Sequence, residues 1–220
     1  MSLILNIDCS GSTASVCLSE NKTILALSSN SQMQDHAAWI HSAIAGILKK
    51  VDGSYFEPEA VAVTIGPGSY TGLRVGLATA KGICFAKKIP LIAVSTLEIM
   101  ALSVKDEVKD LVCPMIDARR DEVFTAVYSS KLDLIQPPAP MILNKQSFEE
   151  LLQNHQILFC GSGSKKLQLL NPGANASFSD KEADASHLAH IANDYHQLKR
   201  YVDLAYAEPE YLKAFHTTSH

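Results

Sequence analysis

Leu3-Ile4-Leu5-Asn6-Ile7-Asp8-Cys9-Ser10-Gly11-Ser12-Thr13-Ala14-Ser15-Val16-Cys17-Leu18-Ser19 opens with an apolar run that stops at an aspartate, then turns into an alternating run. The first run reads as a buried strand. In the second, Ala14, Val16 and Leu18 face one way and Thr13, Ser15, Cys17 and Ser19 the other, the two-residue period of a strand. Glu20-Asn21-Lys22 turns into a third strand through Ile24, Leu25 and Leu27, completing an antiparallel meander. The figure returns about a hundred residues later. Leu111-Val112-Cys113-Pro114-Met115-Ile116-Asp117 is a strand ending in Ile-Asp, Ala118 to Asp121 make a turn, and Glu122 to Tyr128 form the next strand. Asp8 precedes Thr13 by five residues, as Asp117 precedes Glu122. Side-chain identity is slight, but the shared spacing predicts a duplicated α/β unit.

Between the copies the spacing predicts helices. Ile40, Ala43, Ile44, Ile47, Leu48 and Val51 fall on one helical face, with Gln34 or Asp35 near the start and Gly53 as a stop. Pro90 to Val94 is a short strand, and Ser95 or Thr96 caps a helix through Leu97, Met100, Ala101 and Leu102. Gln136 to Pro140 reads as a rigid extended connection and Asn171 to Asp180 as loop. Ile157 to Gly163 reads as a strand with a Gly turn, and a last amphipathic helix spans about Ser186 to Tyr201. The expected division is one lobe over 1–104 and a second over 105–220, with the last helix able to pack back on the first lobe.

The stretch from Thr64 through Gly66-Pro67-Gly68-Ser69-Tyr70-Thr71-Gly72 to Gly76 joins an apolar strand to a helix that continues to about Phe85. Its glycines and proline specify a turn with unusual backbone angles, and Ser69 or Thr71 can cap the helix. Such a corner suits an anion or a docking partner. It is neither a P-loop, since no lysine reaches a phosphate, nor a Rossmann turn, whose spacing fails by one residue. A tight corner without a ligand remains the competing reading. Along the helix, Gly72, Gly76 and Ala80 recur every four residues and invite close approach of another helix, flanked by Leu73, Leu77 and Ile83.

The net charge of −4 argues against a chain that grips nucleic acid alone, and the basic pairs, Lys165-Lys166 among them, read as solvated surface. Five cysteines without Cys-x-x-Cys spacing suit a reducing compartment. The start lacks a basic leader and no run reaches membrane-span length, so a cytoplasmic protein is expected. His36 and His41 diverge on a helix, and His187 and His190 lack a third ligand, so no metal site is expected. Ser69 sits in no Gly-x-Ser-x-Gly elbow. Asp8 and Asp117 are the candidate acids for phosphate or ion chemistry, with the alternative role of bonding their own turns.

Ile4 to Ser10, Gly66-Pro67-Gly68-Ser69-Tyr70-Thr71-Gly72-Leu73-Arg74-Val75-Gly76 and Ile116-Asp117-Ala118-Arg119-Arg120-Asp121-Glu122-Val123-Phe124 resemble the bacterial TsaB (YeaZ) family over essentially the whole chain. Glu208 to Lys213 resembles that family's ending, where arginine is more usual at the place of Lys213. The resemblance implies the duplicated actin/hexokinase/Hsp70-like (ribonuclease H-like) α/β fold, two lobes each with a mixed sheet and helices. It implies a non-catalytic scaffold or activating subunit in forming N6-threonylcarbamoyladenosine at position 37 of tRNAs reading codons that begin with A. The implied partners are a TsaD-like transferase and a TsaE-like ATPase, with tRNA held only within the complex; self-pairing to a homodimer through the same surface is expected if Leu73 and Leu77 are exposed in the free chain. The partner interface is expected at Trp39, Leu73, Arg74, Gly76, Leu77 and Ala80. Asp8, Gly66, Gly68, Ser69, Thr71, Gly72, Asp117 and Arg119 are expected to form a nucleotide or anion site or a structural turn. No cofactor is expected of the isolated chain, and ATP or ADP would sit at the heteromeric interface. The alternative is a small ATPase or kinase using Asp8 and the Gly66–Gly72 turn; a protease ranks last.

Overall fold

The computed structural model describes residues 2–32, 36–49 and 53–213, without the side chain of residue 36. Gln34, Asp35 and Val51 of the expected first helix, and the terminal His216 and His220, lie outside them. The chain divides into two compact units: Met1–Ile99 with Ala183–Pro209, and Met100–Glu182 with Glu210–His220.

In the first unit, β1 (Leu3–Asp8), β2 (Ala14–Glu20) and β3 (Thr23–Asn30) form the expected meander. β4 (Ala60–Gly66) and β5 (Leu91–Ser95) add parallel strands on the far side of β1, giving the order β3-β2-β1-β4-β5. Leu5, Ile7, Val16, Val61 and Val63 face α1 (His36–Leu48) and α2 (Tyr70–Lys87), meeting Ile40, Ile44, Leu77 and Ala80 in one core. The opposite face is covered by α6 (Ala185–Gln197), whose Ala185 and Ala189 meet Cys17. That cover explains why β2 is buried from Ala14 to Ser19, its alternating polar residues included. Asn6 Nδ2 donates to the Ile4 and Cys17 carbonyls and to Ser19 Oγ, and Ala185 N–H donates to Ser15 Oγ. Buried polar groups are tolerated because they are bonded in this way.

The second unit repeats the plan. β6 (Leu111–Asp117), β7 (Glu122–Ser129) and β8 (Leu134–Ile142) form an antiparallel meander, and β9 (Ile157–Cys160) and β10 (Ala176–Ser179) add parallel strands beside β6. The order β10-β9-β6-β7-β8 is that of the first sheet, strand for strand. The second core holds Met115, Val123, Phe148, Phe159 and Leu167. α4 (Glu149–Asn154) and α5 (Ser164–Leu169) complete its helices, and α3 (Thr96–Ser103) belongs in part to each unit.

Two expectations are corrected. Gln136 to Pro140 is not a connection but lies inside β8, an edge strand bonded only to β7, where prolines lacking an N–H are tolerated. The expected loop from Asn171 to Asp180 contains β10, whose Ala-Ser-Phe-Ser sequence is too short to show a period. No helix among the described residues is long and apolar enough to cross a membrane.

Candidate functional site

β1 delivers Asp8 to a buried position beside β4, its parallel neighbour. Asp8 Oδ1 accepts from Ser10 N–H at 3.0 Å, Ser10 Oγ at 2.7 Å and Thr64 Oγ1 at 2.7 Å. Burial pushes the Asp8 carboxyl above its ordinary pKa. The bonds from Ser10 and Thr64 oppose that shift, and the nearby negative charge of Asp184 adds to it. Ser10, Thr64 and Asp184 are not among the expected site residues. Thr64 carries a visible signal, since it ends the strand that leads into the glycine turn. Asp184 carries none, because it reaches this region from a distant part of the chain.

Gly66, at φ +121°, bends the strand end, and the Gly66–Pro67 peptide is cis. Ser69 caps α2, its Oγ accepting from Gly72 N–H at 3.3 Å, while Thr71 is exposed. Ser69 N–H donates to the Ser10 carbonyl at 2.8 Å. A β-carbon at Gly68 would lie 2.4 Å from the Ser10 carbonyl oxygen, and one at Gly72 only 2.1 Å from that of Cys9. Only glycine allows backbone to meet backbone this closely. Beside Gly68 and Gly72 stand two carbonyl oxygens of the chain itself, a surface that repels an anion.

The expected partner-contact stripe takes another place. Gly76 faces the side chains of Cys9 and Ile7; a β-carbon there would lie 3.4 Å from Cys9 Cβ and 3.6 Å from Ile7 Cγ2. Leu73, Leu77 and Ala80 are buried as well, and Trp39 packs partly buried on the same core. The small residues thus let α2 approach its own sheet rather than another helix, and they are not available as surface. Of the expected contact residues, Arg74 is exposed, its guanidinium 4.0 Å over the Tyr70 ring. The outward side of α2 instead carries Arg74, Ala78, Gly82 and Phe85, and that of α1 carries Ala38, Ser42, Ala45 and Gly46.

In the second unit Asp117 is exposed at the end of β6. Its Oδ1 accepts from Arg119 N–H at 2.6 Å and from Lys166 Nζ at 2.7 Å, and its own N–H donates to Ser162 Oγ at 3.1 Å. Partial burial raises the Asp117 pKa, but the Lys166 and Arg119 bonds outweigh it and leave the carboxyl below its ordinary value. Lys166 is therefore not the solvated lysine that its place in a basic pair suggests. His187 is likewise engaged: Asp184 accepts from Ser186 N–H, and His187 completes a capping box at the start of α6. Among the described residues, no group of three His, Cys, Asp or Glu side chains is arranged to hold a metal ion.

The family model described as TsaD, tRNA N6-adenosine threonylcarbamoyltransferase, matches residues 23–219. The tRNA threonylcarbamoyladenosine biosynthesis protein TsaB of Buchnera aphidicola subsp. Acyrthosiphon pisum is 30% identical over 69% of this chain and 70% of its own length. The chain belongs to the TsaB branch of this family. TsaB of Bacillus subtilis is 33% identical over 62% of the chain, an alignment that spans 59% of the Bacillus protein. A Pseudomonas aeruginosa structure with similarity to peptidase YeaZ covers 97% of the chain and is itself covered in full, with TM-score 0.83 and 23% identity. That likeness speaks for the fold, and with the two equivalent sheets it establishes the duplicated actin-like architecture.

Proposed function

We propose that the chain is a non-catalytic scaffold or activating subunit of the complex that forms N6-threonylcarbamoyladenosine at position 37 of tRNAs reading codons that begin with A. On this reading it pairs with a TsaD-type transferase, which moves the threonylcarbamoyl group, and a TsaE-type ATPase joins the pair. The observation that carries the reading is the 30–33% identity to TsaB proteins named for tRNA threonylcarbamoyladenosine biosynthesis. The state of Asp8 supports it, because its Oδ1 already serves three donors of its own chain. Bonds to Ser10 and Thr64 of this kind give Asp8 the role of holding the turn after β1 to β4.

The transferase meets the outward faces of α1 and α2, through Ala38, Ser42, Ala45 and Gly46 on one helix and Arg74, Ala78, Gly82 and Phe85 on the other. Small exposed residues on two neighbouring helices permit close helix packing. Without the transferase, the same faces pair with a second copy. The chain needs no cofactor of its own; ATP or ADP belongs to the junction with the partner, and tRNA is held by the complex. Co-expression with the transferase tests the interface. Gly82 is exposed, with open space around its β-carbon position, so Gly82→Trp adds its bulk at the surface. Wild type should co-purify with the transferase and G82W should not. Equal co-purification of a folded G82W would refute the interface.

A further inference from the structure

The two halves treat the same turn differently. In the first unit, the turn after β1 lies beneath the β4–α2 corner: Ser69 N–H bonds the Ser10 carbonyl, and Gly68 and Gly72 press on Ser10 and Cys9. The equivalent corner of the second unit, Gly161 to Ser164 between β9 and α5, lands earlier on its partner strand. Gly163 N–H donates to the Met115 carbonyl at 3.0 Å, and a β-carbon there would meet Val123, Ile116 and Met115. The turn after β6 is therefore left uncovered, with Asp117, Arg119, Arg120 and Asp121 all exposed.

Its tip is built at a cost. Arg119 and Arg120 have φ of +69° and +49°, the one pair of consecutive non-glycine residues with positive φ among the described residues. Glycine or asparagine adopts this region with less strain, and strained side chains of this kind persist where function needs them. Neither guanidinium makes an ion pair among the described residues. Beside them Lys166 and Lys213 reach into the same hairpin, binding Asp117 and Glu122, and Lys165 is exposed next to Lys166. Two of the three local carboxylates are thus already neutralised, leaving Asp121 against Arg119 and Arg120. This cationic spot sits on a chain whose net charge is −4, so it is not a by-product of basic composition.

We propose that the Arg119–Arg120 hairpin tip is a contact for the sugar-phosphate backbone of tRNA. The inference rests on the function proposed above and adds a place on this chain where the RNA is touched. Guanidinium groups suit phosphate because they donate two bonds in one plane, and such contacts add affinity without reading sequence.

The test uses the complex of the full chain with its TsaD-type transferase and an unmodified tRNA transcript whose anticodon reads a codon beginning with A. Affinity is measured across a salt series. R119G/R120G should weaken binding about tenfold per lost contact near 0.1 M salt and flatten the log–log salt slope by roughly one unit per contact. The same variant should unfold at a higher urea concentration, because glycine relieves the positive-φ strain. R119K/R120K, which keeps the charge, should retain most of the affinity, and R119Q/R120Q, which removes the charge but keeps side chains at the strained tip, should lose it. Wild-type affinity and slope in both R119G/R120G and R119Q/R120Q would overturn the proposal. So would a loss confined to pairing with the transferase, which would make the tip a protein contact. Failure of the chain to form that complex would instead count against the function proposed above.

Discussion

Gly72 and Gly82, both on α2, should respond oppositely to the same change. Gly82 is exposed, with nothing within 4 Å of its β-carbon position. Gly82→Ala should therefore stabilise by about 0.5–1 kcal/mol, since alanine loses less backbone entropy in a helix. At Gly72 the added carbon would lie 2.1 Å from the Cys9 carbonyl oxygen. An ordinary carbon–oxygen contact is about 3.3 Å, so two stretches of backbone must part by roughly 1 Å. Overpacking of that kind costs about 1–3 kcal/mol. Loss of the bond from Ser69 N–H to the Ser10 carbonyl adds about 1 kcal/mol. After alanine's helix gain is subtracted, G72A should lose about 1–3.5 kcal/mol. Trp39, the only tryptophan, packs on the first-unit core, so its fluorescence in urea reports the unit that holds both glycines. With a slope near 2 kcal/mol per molar, the G72A midpoint should fall by about 0.5–1.7 M while that of G82A rises by a few tenths. A G72A protein as stable as wild type would refute the claim that backbone contact explains the glycines.

Two predictions concern acids. The Asp8 carboxyl is raised above the ordinary 3.8 by burial, so between 3.8 and its folded value the native state holds more protons than the unfolded chain. Wild-type stability relative to Asp8→Asn should fall as pH rises through that window and then level off; a relative gain with rising pH would contradict the assignment. Asp184 has the opposite sign, held below 3.8 chiefly by its bond with His187. Its contribution is present above 3.8 and shrinks as pH falls below it, so Asp184→Ala should cost about 1 kcal/mol at neutral pH and less in acid. A pH-independent difference in urea midpoint would sink that reading.

What could be read from the residues divides by the range of the signal. Leu3–Asp8 and Leu111–Asp117 are buried central strands, so they appear as largely apolar runs ending in Ile-Asp, and their shared spacing reveals the duplication before any contact is known. β8 escapes because its prolines mark an edge strand as strongly as a linker. The Gly72–Gly76–Ala80 stripe is legible as a close approach, but the identity of the approaching surface is set by tertiary packing. That surface is Cys9 and Ile7 of the same unit, which no helical period records. Lys166 and Asp184 become meaningful only beside Asp117 and Asp8, positions about fifty and more than a hundred and seventy residues away in sequence.

The most direct measurement depletes the protein in its host and reads N6-threonylcarbamoyladenosine in tRNA by mass spectrometry, with rescue by wild type, Asp8→Ala and Gly82→Trp. A scaffold predicts loss on depletion, rescue by wild type and by any folded D8A, and failure of G82W. An unchanged level of the modified nucleoside on depletion, or a folded D8A that pairs with the transferase yet cannot restore it, would contradict the account.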